Sequence, residues 1–333
     1  MWCVRWWEMT TEAAHRQHWR RATQAGFFVL FLLAPALDLL RFDLNQAQLW
    51  LLGQPWHLGI DALQHGQATP LEAALAILTR GIVPGVLLVV AFLAVAYRFG
   101  RVYCGWLCPH FSVVETLNAV MHRASGKYSL WDRSPTPHAR HTPRRRWWWV
   151  FAVLSLSFAF LWAITLLTYL LPPTEIWHNV LNASLTPNQA RFLGIAMLAF
   201  LLEFVLARHL FCRFGCAVGL FQSLAWIAND RAMVVAFARE RARECLSCDA
   251  PRGSACDHDC PMRLHPRNIK RMMFSCVQCG RCLSACETSQ ASLQRAPNLV
   301  WQIGADAVRE TLRQRQAQLH EGSRVAHVPH KVS

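Results

Sequence analysis

Eight cysteines between Cys245 and Cys286 are the residues best equipped for chemistry in this chain of 333 residues. In the first four, Cys245 and Cys248 are two residues apart, seven residues lead to Cys256 and three more to Cys260, with Pro261 directly after. The second four run Cys276-Val-Gln-Cys279-Gly-Arg-Cys282-Leu-Ser-Ala-Cys286. That C-x2-C-x2-C-x3-C spacing suits cubane iron–sulfur clusters. Three thiolates on one tight loop reach three corners of a cube, while the fourth, on the following helix, serves the other cluster. The expected ligand sets are Cys245, Cys248, Cys256 and Cys286 for one 4Fe–4S cluster, and Cys276, Cys279, Cys282 and Cys260 for the other. Structural zinc also uses C-x2-C pairs, but tetrahedral sites rarely need two interleaved runs of four ending in Cys-Pro. Two details depart from the compact pattern: the long loop before Cys256, and Glu287 where proline commonly follows the last cysteine.

A second kind of cysteine pair appears twice. Cys104-Gly-Trp-Leu-Cys108-Pro109 and Cys212-Arg-Phe-Gly-Cys216 are offset by 108 residues at both cysteines, each after an aromatic and before an amphipathic stretch. This is the pattern of a duplicated span, CxxxC and surface helix, and such repeats tend to place equivalent groups around a shared site. The i,i+4 spacing predicts both thiols of a pair on one helix face. Soft thiolates select copper(I), zinc or iron–sulfur. Buried cysteines also serve as small hydrophobes, but two symmetric pairs favour a functional reading. Glu203 lies inside a predicted span, where a carboxylate is a functional candidate by default; pairing with Arg208 is its structural alternative. The chain has no C-x-x-C-H motif for covalent haem and no Gly-rich phosphate loop.

The elements that must position these thiols are apolar. The chain is 53% hydrophobic and only 16% charged, with 15 Trp, and its apolar residues come in blocks rather than at helical period, which points to membrane spans. Four are expected, near 22–40, 73–97, 147–171 and 192–211. The loop 98–146 carries nine Lys or Arg against Glu115 and Asp132, whereas the loops 41–72 and 172–191 are nearly neutral. The positive-inside rule then puts both termini and the eight-cysteine segment in the cytoplasm. This distribution accounts for the formal net charge of +14 without nucleic acid as a partner; the partner it implies is a lipid bilayer. Thirteen cysteines without a secreted layout fit metal ligation in a reducing compartment. The expected organisation is a basic tail over 1–24, a four-span membrane domain over 25–230, a two-cluster domain over 240–293 and a polar tail over 294–333.

Residues 25–290 resemble the FixG/RdxA/CcoG accessory proteins of haem–copper oxidase assembly and the related NapH-type and NosR-type membrane ferredoxins. The matching stretches are Arg41-Phe-Asp-Leu through Gly53-Gln-Pro-Trp56, and Gly100-Arg-Val-Tyr-Cys-Gly-Trp-Leu-Cys-Pro109, the most specific of them. Phe211-Cys-Arg-Phe-Gly-Cys216, Phe221-Gln-Ser223 and the eight-cysteine segment complete the set. The resemblance implies a mostly α fold: a four-helix transmembrane anchor with a small bacterial-type two-cluster ferredoxin domain (α+β), in a bacterial inner membrane. It also implies that Cys104, Cys108, Cys212 and Cys216 form a redox metal site for copper. Electrons from a cytoplasmic donor or quinone would cross the two clusters and reduce Cu(II) to Cu(I) for oxidase assembly or copper-delivery proteins. A NapH-like relay between the quinone pool and a partner reductase is the alternative. Two features differ from that family. Ala217 stands where the second motif has proline, and 297–333 contains no stretch long enough for the family's late span and immunoglobulin-like domain.

Overall fold

Two of the membrane-length helices begin with the same device. Thr69-Pro70-Leu71-Glu72 and Thr186-Pro187-Asn188-Gln189 are both capping boxes: the threonine hydroxyl accepts from the backbone N–H three residues on, and the Glu or Gln side chain returns to the threonine N–H. Two otherwise orphaned N–H groups are satisfied, and proline at the first helical position loses nothing there.

The computed structural model describes residues 2–46, 48–60, 63, 66–132, 143–248 and 254–326. Three helices in it are long and apolar enough to cross a membrane: Pro70–Phe99, Trp147–Leu170 and Pro187–Ala207. At 1.5 Å per residue the shortest spans about 31 Å, matching a hydrocarbon core of about 30 Å. The span expected at 22–40 does not form as one helix. Helix Trp2–Leu33 ends where the chain turns through Pro35 and Asp38 (φ 51°) into strand Leu40–Asp43, and its uncharged end, 22–33, is only about 18 Å long.

The chain divides into two compact units. One comprises Ala22–Phe92 and Leu107–Cys212. Helix Trp147–Leu170 is its centre: 44% of its apolar window is buried, against 6% for the other two. Phe151, Ala159 and Trp162 from that helix pack on Val113, Leu117 and Met121 of helix Pro109–Ser125. A three-stranded antiparallel sheet, Leu40–Asp43, Gln48–Leu51 and Gln54–Trp56, sits in the same unit. Leu52 and Gly53 join its last two strands, both at positive φ, as a two-residue hairpin turn requires. Within Pro70–Phe99 the helix widens by one π-helical turn at Leu78–Ile82. Pro84 has no N–H for the Arg80 carbonyl, and the Trp56 indole donates to that oxygen instead, at 2.9 Å.

Glu203 also belongs to this unit, and its hydrogen-bond partner is His110, 3.3 Å away. Arg208 is fully buried at the end of a second π-helical turn, Glu203–Ala207, with its guanidinium 5.4 Å from the Phe151 ring centroid. Its φ of 43° is strained for a side chain of that size.

The second unit comprises Met1–Arg21, Leu93–Trp106 and Arg213–Ser333. Its sheet pairs Val234–Phe237 with Leu299–Gln302, so the eight-cysteine segment is the connection between two neighbouring strands. The region read from sequence as a polar tail supplies the second strand and helix Ala305–Ala326, whose Gln314 accepts from the Lys270 N–H at 3.1 Å. Replacing Thr186 by Ala is expected to cost about 1 kcal/mol of unfolding free energy. The change would be read as a lower Tm of the detergent-solubilised protein, with Thr186→Ser retaining the wild-type value.

Candidate functional site

The second cysteine run folds as a tight loop followed by a helix. Gln278 (φ 52°) and Gly280 (φ 69°) reverse the chain so that Cys276 and Cys279 face the start of helix Arg281–Ala291. Gly280 has a second reason to lack a side chain, since a Cβ there would lie 2.8 Å from the Trp301 ring. Cys276, Cys279, Cys282 and Cys260 line one cavity of about 340 Å³. Cys245, Cys248, Cys256 and Cys286 line another of about 280 Å³. Cys282 and Cys286, one turn apart on one helix, thus contribute one thiol to each. Residues 249–253 of the enlarged first loop lie outside the described residues.

Apolar side chains, among them Val235, Met262, Leu264 and Met273, close the first cavity. Burial pushes the thiols up: Cys276 and Cys256 to about 12, and Cys282 well above its ordinary value, with neighbouring cysteine charges adding to the effect. Backbone N–H groups meanwhile aim at the sulfurs, Leu264 at Cys260 (3.4 Å), Ala255 at Cys248 (3.4 Å) and Asn298 at Cys286 (3.3 Å). Free thiolates are disfavoured in such dry surroundings, whereas sulfurs bound to a cationic core and partly hydrogen-bonded are not. Each cavity brings four cysteine sulfurs together, the donor set that a cubane cluster takes.

The CxxxC motifs do not sit as i,i+4 pairs on continuous helices. Cys104 lies in the short helix Val102–Trp106, and the backbone then turns extended at Cys108 (ψ 117°), which caps helix Pro109–Ser125. Pro109 disfavours helical geometry in the residue before it. The second copy breaks at the same place although Ala217 replaces the proline: Cys212 lies in Phe211–Gly215, and Cys216 (ψ 109°) caps helix Ala217–Ile227. Cys108 and Cys212 belong to the first unit described, Cys104 and Cys216 to the second. In the latter, Cys104 is buried, and Cys216 lies near enough for its charge to act on it. Burial pushes the Cys104 thiol up, partly offset by Arg101; Gln222 Nε2 donates to its sulfur at 3.6 Å.

The residues after Cys104 meet the cysteine loop directly. A Cβ at Gly105 would fall 2.2 Å from the Val277 carbonyl oxygen and 3.2 Å from Cys279 N, so only glycine fits. The Trp106 indole donates to the Gln278 carbonyl at 3.0 Å. The N-terminal helix braces the same loop: Arg20 donates to the Gly105 carbonyl and Gln17 to the Cys279 carbonyl, both at 3.3 Å. Arg16 pairs with Glu287, the acid that replaces proline after the last cysteine, and also donates to Ser284 Oγ. Sequence reasoning gave no role to Arg16, Arg20, Arg101, Gly105, Trp106, Gln222 and His110. Arg101, Gly105, Trp106 and Gln222 nevertheless stood in the stretches that carry the resemblance.

A family described as "4Fe-4S binding domain" matches residues 82–128 and 190–230, the two segments that hold Cys104, Cys108, Cys212 and Cys216. The chain is 22% identical over 214 residues to YccM of Escherichia coli, whose name assigns it to electron transport; the match covers 63% of this chain and 56% of that one. RdxA of Cereibacter sphaeroides is 24% identical over 220 residues, 60% of this chain and 43% of RdxA. MauN of Methylorubrum extorquens, named a methylamine utilization ferredoxin-type protein, is 28% identical over 189 residues, 54% of this chain and 57% of MauN. The chain thus spans about half the length of these relatives. No solved structure matches it.

Gly105→Val is expected to push the Val277 carbonyl away and open the first cavity. Iron in the anaerobically purified protein should then fall by roughly four atoms per chain, the content of one cubane. Gly85→Val, at a site with no neighbour within 4 Å, should leave the iron content unchanged.

Proposed function

We propose that this chain, a relative of the RdxA/FixG-type membrane ferredoxins, is an iron–sulfur electron-transfer protein of the bacterial inner membrane that reduces Cu(II) to Cu(I) for oxidase assembly. The observation that carries the reading is the pair of four-cysteine cavities, one of them formed by the loop on which the Cys104-Gly-Trp segment rests. Cys276, Cys279, Cys282 and Cys260 would hold one 4Fe–4S cluster, and Cys245, Cys248, Cys256 and Cys286 the other. When bound, such clusters take up and release single electrons at potentials set by charge, hydrogen bonds to sulfur and solvent exposure.

The chain's own residues keep both cavities dry, direct N–H groups at the sulfurs and hold the cysteine loop against a membrane-edge thiol. Copper is the substrate: Cu(II) gains one electron, and the Cu(I) formed suits soft thiolates. Cys104 and Cys216 are the thiols offered to it in the cluster-bearing unit, with Cys108 and Cys212 supplying the other half of the duplicated motif. The likeness of the Cys-Gly-Trp-Leu-Cys-Pro block to that family supports copper. The basic loops support a cytoplasmic face for both termini and for the donor that supplies electrons.

A second reading, a relay between the quinone pool and a partner reductase, is favoured by two findings. The family matched over the CxxxC segments is described by 4Fe–4S binding, and YccM is named for electron transport. Copper analysis and Cu(II) reduction separate the two readings. In full-length, anaerobically purified protein, Cys104→Ser is expected to slow Cu(II) reduction at least tenfold while low-temperature EPR still reports both clusters. Unchanged reduction, with no copper bound, would refute the copper reading. Quinol-dependent reduction of the clusters in vesicles would then favour the relay. Cys276→Ser and Cys245→Ser should each remove one of two EPR-active clusters.

A further inference from the structure

Arg101 is charged, 2% exposed and two residues past the end of a membrane-length helix. The chain makes room for it. On helix Ala217–Ile227, a Cβ at Gly219 would lie 2.1 Å from Arg101 Nη2, 2.7 Å from Cζ and 3.2 Å from Nε. The guanidinium therefore lies on bare backbone that no other residue type leaves open. From that seat it stands in the segment that meets the cysteine loop. The Arg101 carbonyl accepts from the Gly105 N–H at 3.3 Å, and Gly105 and Trp106 lie against the backbone of Val277, Gln278 and Cys279. Its charge opposes the burial that pushes up the Cys104 and Cys276 thiols. Two other guanidiniums near the cavities differ in kind: Arg267 and Arg281 are partly exposed and held by Asp257 and Asp259.

We propose that Arg101, seated on Gly219 in the segment that carries Cys104 and meets the Cys276–Cys279 loop, is a positioning residue that raises the reduction potential of the Cys276 cluster, making it the station from which electrons leave for the membrane-edge thiols. The inference rests on the cluster reading above and deepens it. Reduction adds one electron, hence one negative charge, to the group that Cys276 ligates. A fixed positive charge in a dry site favours that reduced state, and net charge near a cluster is one of the determinants of its potential. That charge makes an electron on the Cys276 cluster more stable than it would be without Arg101.

The test is an EPR-monitored redox titration of full-length, anaerobic wild type, Arg101→Gln, Arg101→Lys and Gly219→Ala, with iron and sulfide measured on each. In Arg101→Gln one of the two clusters should become at least tenfold harder to reduce, a fall of about 59 mV for a one-electron couple, while the other keeps its midpoint. Arg101→Lys, which retains the charge, should fall less than half as far. Gly219→Ala, which displaces the guanidinium without removing it, should lower the same midpoint. Wild-type midpoints in an Arg101→Gln protein with full iron content would overturn the proposal, as would equal falls in the Lys and Gln variants. Should Arg101→Gln not fold, an unmoved midpoint in Gly219→Ala overturns it. Wild-type protein with no iron–sulfur signal would overturn the cluster reading itself, and this inference with it.

Discussion

The close approach of two backbones at Gly105 is the constraint on which the site depends. The Val277 carbonyl comes so near that a single methyl group at position 105 could not be placed. Once that contact is set, neighbouring choices follow. The Gln278 carbonyl needs a donor and receives the Trp106 indole. The Gly105 carbonyl needs another and receives Arg20, 1% exposed on the N-terminal helix. One helical turn earlier, Arg16 reaches Glu287, so the acid after the last cysteine becomes an anchor for that helix. A buried backbone group without a partner costs as much as a lost hydrogen bond. The brace is therefore what allows irregular loops to be packed this tightly.

The second constraint is electrostatic. Cys256, Cys276 and Cys282 sit where water is scarce, and burial drives their thiols toward the protonated form. The N–H groups of Leu264 at Cys260 and Asn298 at Cys286 push the other way, as does Arg101 at Cys276. None of these suffices to hold a bare thiolate, and together they describe an environment that a cationic core completes. Dryness also has a consequence for charge: an arginine seated on Gly219 acts through protein rather than water, where the interaction of unit charges is several-fold stronger.

What could be read from the sequence follows from how local each signal was. The second cysteine run encodes a tight loop leading into a helix, and that local shape was legible in the spacing. The spans at 73–97, 147–171 and 192–211 were equally legible, because hydropathy is summed within one segment. The segment 22–40 was not: Pro35 and Asp38 cut it short, and the apolar residues beyond Asp38 joined a strand. The i,i+4 expectation at the CxxxC motifs failed because a proline, or a break equivalent to it, acts on the residue before it. The strand Leu299–Gln302 and the pair Arg16–Glu287 were illegible in principle, since each depends on a partner far away in sequence. The arginines of the N-terminal helix looked like a charged tail because nothing local distinguishes a brace from a solvated face.

The duplicated motif shows the same logic in its differences. Gly100 (φ 70°) and Arg208 (φ 43°) occupy equivalent positions and turn the chain with the same unusual hand, although only one of them is glycine. Gly105 corresponds to Arg213, so the second copy carries a long side chain where the first admits the Val277 carbonyl. Conversely Phe111 of the first copy, 1% exposed, corresponds to Gly219 of the second. Glycine stands at opposite sides of the two copies, and in the unit that holds the eight cysteines those two glycines meet different parts of one assembly: Gly105 admits the cysteine loop, and Gly219 admits Arg101. Gln222, three residues after Gly219, reaches the Cys104 sulfur of the other copy. The two copies therefore divide the work. One copy supplies the buried thiol and the charge beside it, while the other supplies the bare helix face and the amide that hold them in place.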